Sequence, residues 1–127
     1  MIEGVHHIAI ICSDYERSKN FYSHILGFEI IQEVYRAERA SFKLDLKISD
    51  ACYIELFSFP SPPSRTSMPE ACGLRHLAFS TSDLIKTMKI LSAKGVVFEE
   101  VRFDESSQKR FVFFSDPDHL PIELYEK

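Results

Sequence analysis

Two stretches of the chain repeat the same pattern. "VHHIAIICSD" near the start and "LRHLAFSTSD" further on each place a histidine at the start of an apolar run that leads into a helix. His7 and His76 are 69 residues apart, whereas Glu55 and Glu123 are 68 apart, so one residue is missing from the second helical region. Because one copy of this size is too small to bury a good core alone, the repeat predicts two related modules that pack together.

Each copy is predicted to fold as β-α-β-β-β. In the first copy, "VHHIAIIC" is rich in β-branched residues and predicts a strand. The next segment predicts a helix, with Ser13 and Glu16 as a capping box at its start and Gly27 at its end. Three strands follow, and the second copy repeats this order with "VVFEEVRF" as its second strand.

The resulting fold class is α+β, with two tandem βαβββ modules in one domain over residues 1–127. Module 1 covers residues 4–59 and module 2 covers residues 74–127. Four of the six prolines fall between Phe59 and Gly73, so residues 60–73 are predicted to be a proline-rich linker.

Composition limits the class of protein. The chain is 45% hydrophobic and 27% charged, which is typical of a globular protein, and its net charge of −4 gives no reason to expect nucleic acid as a partner. No apolar run is long enough to cross a membrane, and "MIEGVHHIAI" lacks the pattern of a signal peptide. Three cysteines without a CxxC pair favour reduced thiols, so we expect a cytoplasmic protein.

Four residues occupy equivalent places in the two copies: His7 and His76 at the start of the first strand, and Glu55 and Glu123 in the last strand. Strand alternation puts each of them on the face opposite the apolar residues. If a twofold rotation relates the copies, all four side chains converge where the modules meet. Two imidazoles and two carboxylates suit a divalent metal such as zinc, nickel, cobalt or manganese.

These motifs resemble those of the vicinal oxygen chelate superfamily, and within it the glyoxalase I-like proteins. The resemblance covers essentially the whole chain. It rests on the opening histidine with an aspartate seven residues later, on "FY" and "LGF", on "IEL" in both copies, on "RHLAFS" and on "DPDHLPIELYE".

The resemblance implies the glyoxalase/bleomycin resistance/dihydroxybiphenyl dioxygenase fold, in which paired βαβββ modules form a cupped mixed sheet around one divalent metal. It implies His7, Glu55, His76 and Glu123 as the metal ligands, with Glu123 or Glu55 also moving a proton. The implied function is that of a lyase or isomerase related to lactoylglutathione lyase. Such an enzyme acts through an enediolate on a small substrate with vicinal oxygens, such as the hemithioacetal of a 2-oxoaldehyde and a thiol. A homodimer is the expected assembly.

The chain departs from the glutathione-using members of this family. Those enzymes have an arginine four residues after the first ligand and an asparagine four residues after the second, and here Ile11 and Phe59 stand at these positions. The substrate and any thiol co-substrate are therefore left open. Candidate substrate contacts are Lys109, Arg110, Phe57 and Tyr125, with Arg36 and Arg39 as further cations that could hold an anion.

The sequence is also compatible with two other functions. One is a different reaction on the same metal site, such as that of a dioxygenase, an epimerase or a thiol transferase. The other is a protein that binds a small molecule or antibiotic without catalysis. His6 is predicted to lie on the opposite face from His7 and to have a structural role.

Overall fold

A computed structural model describes all residues, 1–127. The chain forms two compact units, Met1–Ser64 and Arg65–Lys127. The boundary between them lies inside the segment 60–73 that the prolines marked as a linker. No helix in the chain is both long and apolar enough to span a bilayer.

The first unit has the predicted β-α-β-β-β order. Its strands are β1 (His7–Cys12), β2 (Glu29–Arg36), β3 (Ser41–Ser49) and β4 (Cys52–Ser58), and helix α1 (Tyr15–Asn20) continues into a π-helical turn over Phe21–Ile25. The sheet order is β1-β4-β3-β2, with β1 parallel to β4 and the other pairs antiparallel. A short 3-10 turn, Ala37–Arg39, joins β2 to β3.

The helical segment covers one face of this sheet. Tyr22 from the π-helical turn is fully buried, as are Leu44, Leu46, Ile54 and Leu56 at alternating positions of β3 and β4. Burial of a side chain of this size contributes about 1.5–3 kcal/mol. The alternation leaves the intervening residues of β3 and β4 on the opposite face, where the candidate site lies.

The predicted capping box of helix α1 is wrong in detail. Asp14, not Ser13, is the N-cap, because its carboxylate accepts a hydrogen bond from the Arg17 amide at 3.2 Å. Asp83 caps the second helix in the same way through the Lys86 amide at 3.0 Å. An aspartate at the N-cap also places negative charge where the helix dipole is positive.

The second unit repeats this order. It contains β5 (Leu77–Thr81), α2 (Leu84–Ala93), β6 (Arg102–Asp104), β7 (Lys109–Ser115) and β8 (Pro121–Glu126), with sheet order β5-β8-β7-β6. Strand β5 is parallel to β8, and the other pairs are antiparallel. Its core includes Leu84, Leu91, Val112, Phe114, Ile122 and Leu124. The prediction of two tandem βαβββ modules in an α+β fold is confirmed.

Two strand predictions in the second unit need correction. "VVFEEVRF" was expected to be a strand throughout, but only Arg102–Asp104 pairs with β7. The preceding residues include a single backbone hydrogen bond to β7, from the Glu99 amide to the Phe113 carbonyl at 2.9 Å, and this one bond does not make a ladder. His76 lies one residue before β5 rather than within it.

Candidate metal and substrate site

His7 and Glu55 form a pair in the first unit. Strands β1 and β4 are parallel neighbours, with Ala9 opposite Glu55, so the histidine side chain reaches along the sheet to the glutamate. His7 Nε2 lies 3.6 Å from Glu55 Oε1, and the two side chains are 41% and 20% exposed. Glu55 faces away from the core because its neighbours Ile54 and Leu56 are fully buried.

A cation and a second carboxylate flank this pair. Lys43 on β3 places its ammonium nitrogen 3.0 Å from Asp45 Oδ1 and 3.7 Å from Glu55 Oε2. Glu55 therefore has one oxygen near the His7 imidazole and the other near an ammonium group. These contacts fix the orientation of the carboxylate before any ligand arrives.

His6 also contributes to this arrangement, which sequence reasoning did not foresee. Its Nδ1 lies 2.9 Å from His7 Nδ1, so one imidazole donates to the other. Nδ1 of His7 is then engaged, and Nε2 is the nitrogen that faces Glu55. A partner on one ring nitrogen commonly fixes the tautomer and the orientation of a metal-binding histidine. Strand alternation could not reveal this contact, because it joins adjacent residues.

His76 and Glu123 form the equivalent pair in the second unit. His76 Nε2 lies 3.0 Å from Glu123 Oε2, and the side chains are 33% and 11% exposed. Phe113 packs against the histidine edge to face, with ring centroids 5.0 Å apart. This pair is therefore closer together and more enclosed than the pair in the first unit.

The two pairs have unlike neighbours at equivalent positions. Asp45 is opposite Glu55 in the first sheet, and Phe113 is opposite Glu123 in the second. Two residues earlier on the same strands, Lys43 in the first unit occupies the position that Phe111 occupies in the second. The first pair thus lies among charged side chains and the second among aromatic rings.

A cleft of about 520 Å³ opens beside His76 within the second unit. Phe113 and Pro121 line one side of it, and the segment from Arg65 to Gly73 forms much of the rest. Arg65 holds this segment in place, since its Nη2 donates to the carbonyls of Leu74 and Arg75 at 2.7 and 2.8 Å. A cleft of this volume is large enough for a small organic ligand.

The predicted substrate contacts lie in different places. Phe57 shares the face of Glu55, and Tyr125 shares the face of Glu123, as alternation predicted. Lys109 is on the same side of β7 as Phe111 and Phe113. Arg110 lies on the other side.

Arg110 is occupied by an ion pair on the core-facing side of the sheet. Its Nη2 lies 2.6 Å from Glu126 Oε1, and its Nε lies 3.1 Å from Glu126 Oε2. These contacts lower the pKa of the Glu126 carboxyl to about 2. We therefore leave Arg110 out of the candidate site.

The hydroxyl of Tyr125 is oriented by the β6–β7 hairpin. It donates to Asp104 Oδ2 at 2.9 Å and also contacts the Ser107 hydroxyl. The Ser107 contact acts to lower the pKa of Tyr125, but partial burial and the Asp104 carboxylate raise that pKa by more. The hydroxyl consequently remains protonated at neutral pH.

Each unit offers one imidazole nitrogen and one carboxylate as possible metal ligands. Within neither unit do three or more His, Cys, Asp or Glu side chains converge to hold a metal ion. The donor types fit a divalent transition metal, which imidazole and carboxylate groups bind in combination.

Comparison with known proteins finds relatives that match nearly the whole chain. The uncharacterized protein YwkD of Bacillus subtilis (strain 168) is 58% identical over 127 residues, which are 100% of this chain and 99% of YwkD. The uncharacterized protein YaeR of Escherichia coli (strain K12) is 56% identical over 126 residues, which are 99% of this chain and 98% of YaeR.

Solved structures extend the comparison to three dimensions. The crystal structure of the glyoxalase family protein from Enterococcus faecalis matches with a TM-score of 0.91 and 43% identity, over 98% of both chains. The family model described as Glyoxalase/Bleomycin resistance protein/Dioxygenase superfamily matches residues 4–124. The chain therefore belongs to the Glyoxalase/Bleomycin resistance protein/Dioxygenase superfamily.

Proposed function

We propose that the protein is a metal-dependent lyase or isomerase of the glyoxalase I type. Its substrate is a small molecule with vicinal oxygens, such as the hemithioacetal of a 2-oxoaldehyde and a thiol, which reacts through an enediolate. The observation that supports this most is the pair of His–Glu contacts at repeat-equivalent positions. The relative named Glyoxylase I 4 of Arabidopsis thaliana, 26% identical over 97% of this chain and 70% of its own length, supports the same class.

The proposed metal ligands are His7, Glu55, His76 and Glu123, two from each unit. Zinc or nickel fits this donor set best, with cobalt and manganese as alternatives. Bound there, the ion supplies a Lewis acid that stabilises negative charge on the substrate oxygens. The four ligands come together either within one chain or across a homodimer, and we propose the homodimer.

Glu123 is proposed to move the proton between the two carbons of the substrate. Its Oε2 lies 3.0 Å from His76 Nε2, and its side chain is 11% exposed. Phe113 and Phe111 surround it with apolar surface that limits water. Glu55 is the second candidate, but Lys43 and His7 approach both of its oxygens.

Side chains on the sheet faces that carry Glu55 and Glu123 are proposed to contact the substrate. Phe57 and Tyr125 present aromatic surface, and Lys109 contributes a cation. The cleft beside His76 would hold the part of the substrate that extends away from the reacting carbons. Because none of the three cysteines is in a disulfide, a cytoplasmic location with a reduced thiol co-substrate is consistent with this chemistry.

The test replaces Glu123 by glutamine and compares it with a matched change on the same strand. Protein loaded with zinc or nickel is assayed with 2-oxoaldehydes and several thiols. Glu123→Gln is expected to lower kcat by about 100-fold or more, because it removes the proton acceptor. Glu126→Gln, on the opposite face of β8, should retain kcat within about twofold. Full activity of Glu123→Gln would rule out this assignment.

Two alternatives have specific support. The 2-epi-5-epi-valiolone epimerase of Actinomyces sp, 23% identical over 95% of this chain, favours another reaction on the same ligands. The cleft beside His76 favours a protein that only binds a small molecule, and the antibiotic binding protein TnmS3 from Streptomyces sp. CB03234 shares the fold with a TM-score of 0.75. Protein that binds no divalent metal and turns over no carbonyl substrate would favour the binding role.

A further inference from the structure

Two arginines in the first unit lie over two phenylalanine rings. The Arg36 guanidinium carbon is 5.1 Å from the centre of the Phe57 ring, and that of Arg39 is 5.3 Å from the centre of Phe59. The two rings stack on each other with centroids 6.0 Å apart and planes inclined by only 8°. The 3-10 turn Ala37–Arg39 between β2 and β3 brings both guanidinium groups to this end of the sheet.

Neither guanidinium has a carboxylate partner. Arg36 makes one long contact, from Nη2 to the Ser41 hydroxyl at 3.5 Å, and its buried Nε has no hydrogen-bond partner. Arg39 takes part in no ion pair. By contrast, the charge of Lys43, on the same face, is compensated by Asp45, whose Oδ1 lies 3.0 Å from the Lys43 ammonium nitrogen. Arg36 is half-buried with no acceptor for its Nε, and Arg39 is exposed, so an anion that binds at this end of the sheet would meet two cations that no acidic side chain pairs with.

These charges are aligned with the candidate metal ligand. Glu55, Phe57 and Phe59 occupy alternate positions along β4 and its extension, so all three face the same side. Alternate residues of a strand are about 7 Å apart, which places the backbone of Phe57 and of Phe59 roughly 7 and 14 Å from that of Glu55, and each arginine lies over one of these rings. A small molecule can span that distance, with its reacting end at Glu55.

We propose that Arg36 and Arg39, supported by Phe57 and Phe59, form an anion subsite that selects substrates carrying a carboxylate. An arginine that lies over an aromatic ring can still bind a carboxylate through its remaining N–H groups, and neither Arg36 nor Arg39 has an acidic partner in the chain. This inference rests on the proposed function, since it names the substrate class of the same site.

The test measures carboxylate binding without any turnover. The full chain, labelled with nitrogen-15 and without added metal, is titrated with benzoate and with its neutral isostere benzamide at 150 mM salt. Amide shifts near Arg36 and Phe59 should report benzoate binding, whereas benzamide should bind at least tenfold more weakly. The salt concentration suppresses binding by general attraction between exposed charges.

Variants separate the subsite from general charge effects. Arg36→Gln and Arg39→Gln should each weaken benzoate binding by about tenfold or more, and should leave benzamide binding unchanged. Arg17→Gln removes a guanidinium from helix α1 of the same unit and should change neither affinity. Because Arg39 is exposed, its variant retains the fold even if Arg36→Gln does not.

The outcomes distinguish this inference from the proposed function. Benzoate binding that requires both arginines, in a protein that turns over no 2-oxoaldehyde with any metal, supports the subsite and rejects the lyase. Equal benzoate affinity in wild type, Arg36→Gln and Arg39→Gln overturns the subsite, even if the protein is an active lyase. Equal weakening by Arg17→Gln also overturns it.

Discussion

His6 shows how a residue can act through its neighbour. It lies outside the face that carries the candidate ligands, yet its imidazole contacts Nδ1 of His7 at 2.9 Å. Sequence alternation assigned it a structural role, because alternation describes side-chain direction and not contacts between adjacent rings. The contact makes His6 a positioning residue for the first proposed ligand.

Replacement of His6 should weaken metal binding without disturbing the fold. His6→Ala removes the partner of His7 Nδ1, so the imidazole loses its fixed orientation, and we expect the dissociation constant for zinc to rise by about 10-fold or more. Isothermal titration of the metal-free protein measures this directly. His24→Ala, which removes a histidine from the helical side, should retain wild-type affinity. Unchanged affinity in His6→Ala would show that the contact has no such role.

At the level of elements, strand pairing explains why Arg110, a candidate substrate contact in the sequence, lies on the opposite side of β7 from Phe111 and Phe113. Phenylalanines stand on both faces of β7, at Phe111, Phe113 and Phe114, so its sequence does not reveal which face is the core. Pairing with β8 decides it, since Val112 and Phe114 are buried and Arg110 shares their side. The β7–β8 pair then uses Arg110 and Glu126 as a clamp between strands.

This clamp should make the stability of the hairpin depend on pH. The Glu126 pKa lies at about 2 in the folded chain, below its ordinary value of 4.5. The unfolded chain therefore binds the proton first, and the stabilising contribution is present above pH 4.5 and lost as the pH falls towards 2. The difference in unfolding free energy between wild type and Glu126→Gln, measured by urea unfolding, should shrink across this window.

A partner variant provides the control for the clamp. Arg110→Gln removes the cation that lowers the Glu126 pKa, and in that background Glu126→Gln should have little further effect at any pH. If the difference in unfolding free energy between wild type and Glu126→Gln stays constant between pH 7 and pH 3, the ion pair does not stabilise the hairpin.

For the whole molecule, the internal repeat predicted the fold, whereas the binding of one metal by His7, Glu55, His76 and Glu123 stays a prediction. Alternation placed Glu55 and Glu123 on the faces opposite the core, and the structure brings each close to its histidine. The short β6, the Asp14 cap and the His6 contact depend on local hydrogen bonds that residue patterns do not encode. The neighbours Lys43 and Phe113 also required strand register, which the sequence alone leaves open.

One ion per chain is the stoichiometry that the four-ligand proposal requires. Zinc titration of metal-free protein should reach one equivalent, and a concentration 100 times the dissociation constant should stabilise the fold by about 2.7 kcal/mol. His7→Ala and His76→Ala should each abolish this stabilisation by zinc, because each variant removes one of the four ligands of the same site. Two equivalents per chain, or loss in only one of the two variants, would mean that the units bind metal separately.

The unlike surroundings of the two His–Glu pairs have a stereochemical consequence. Lys43 and Asp45 accompany one pair, whereas Phe111 and Phe113 stand in their places beside the other. If the two pairs had identical surroundings, the proposed site would have two equivalent ends, and a substrate could bind in either direction. Divergence at these positions removes that equivalence, so a guest that fits one way meets mismatched polarity when reversed. In the proposed reaction, the proton would then leave and return on a single face of the substrate, and the hydroxy product would have one handedness.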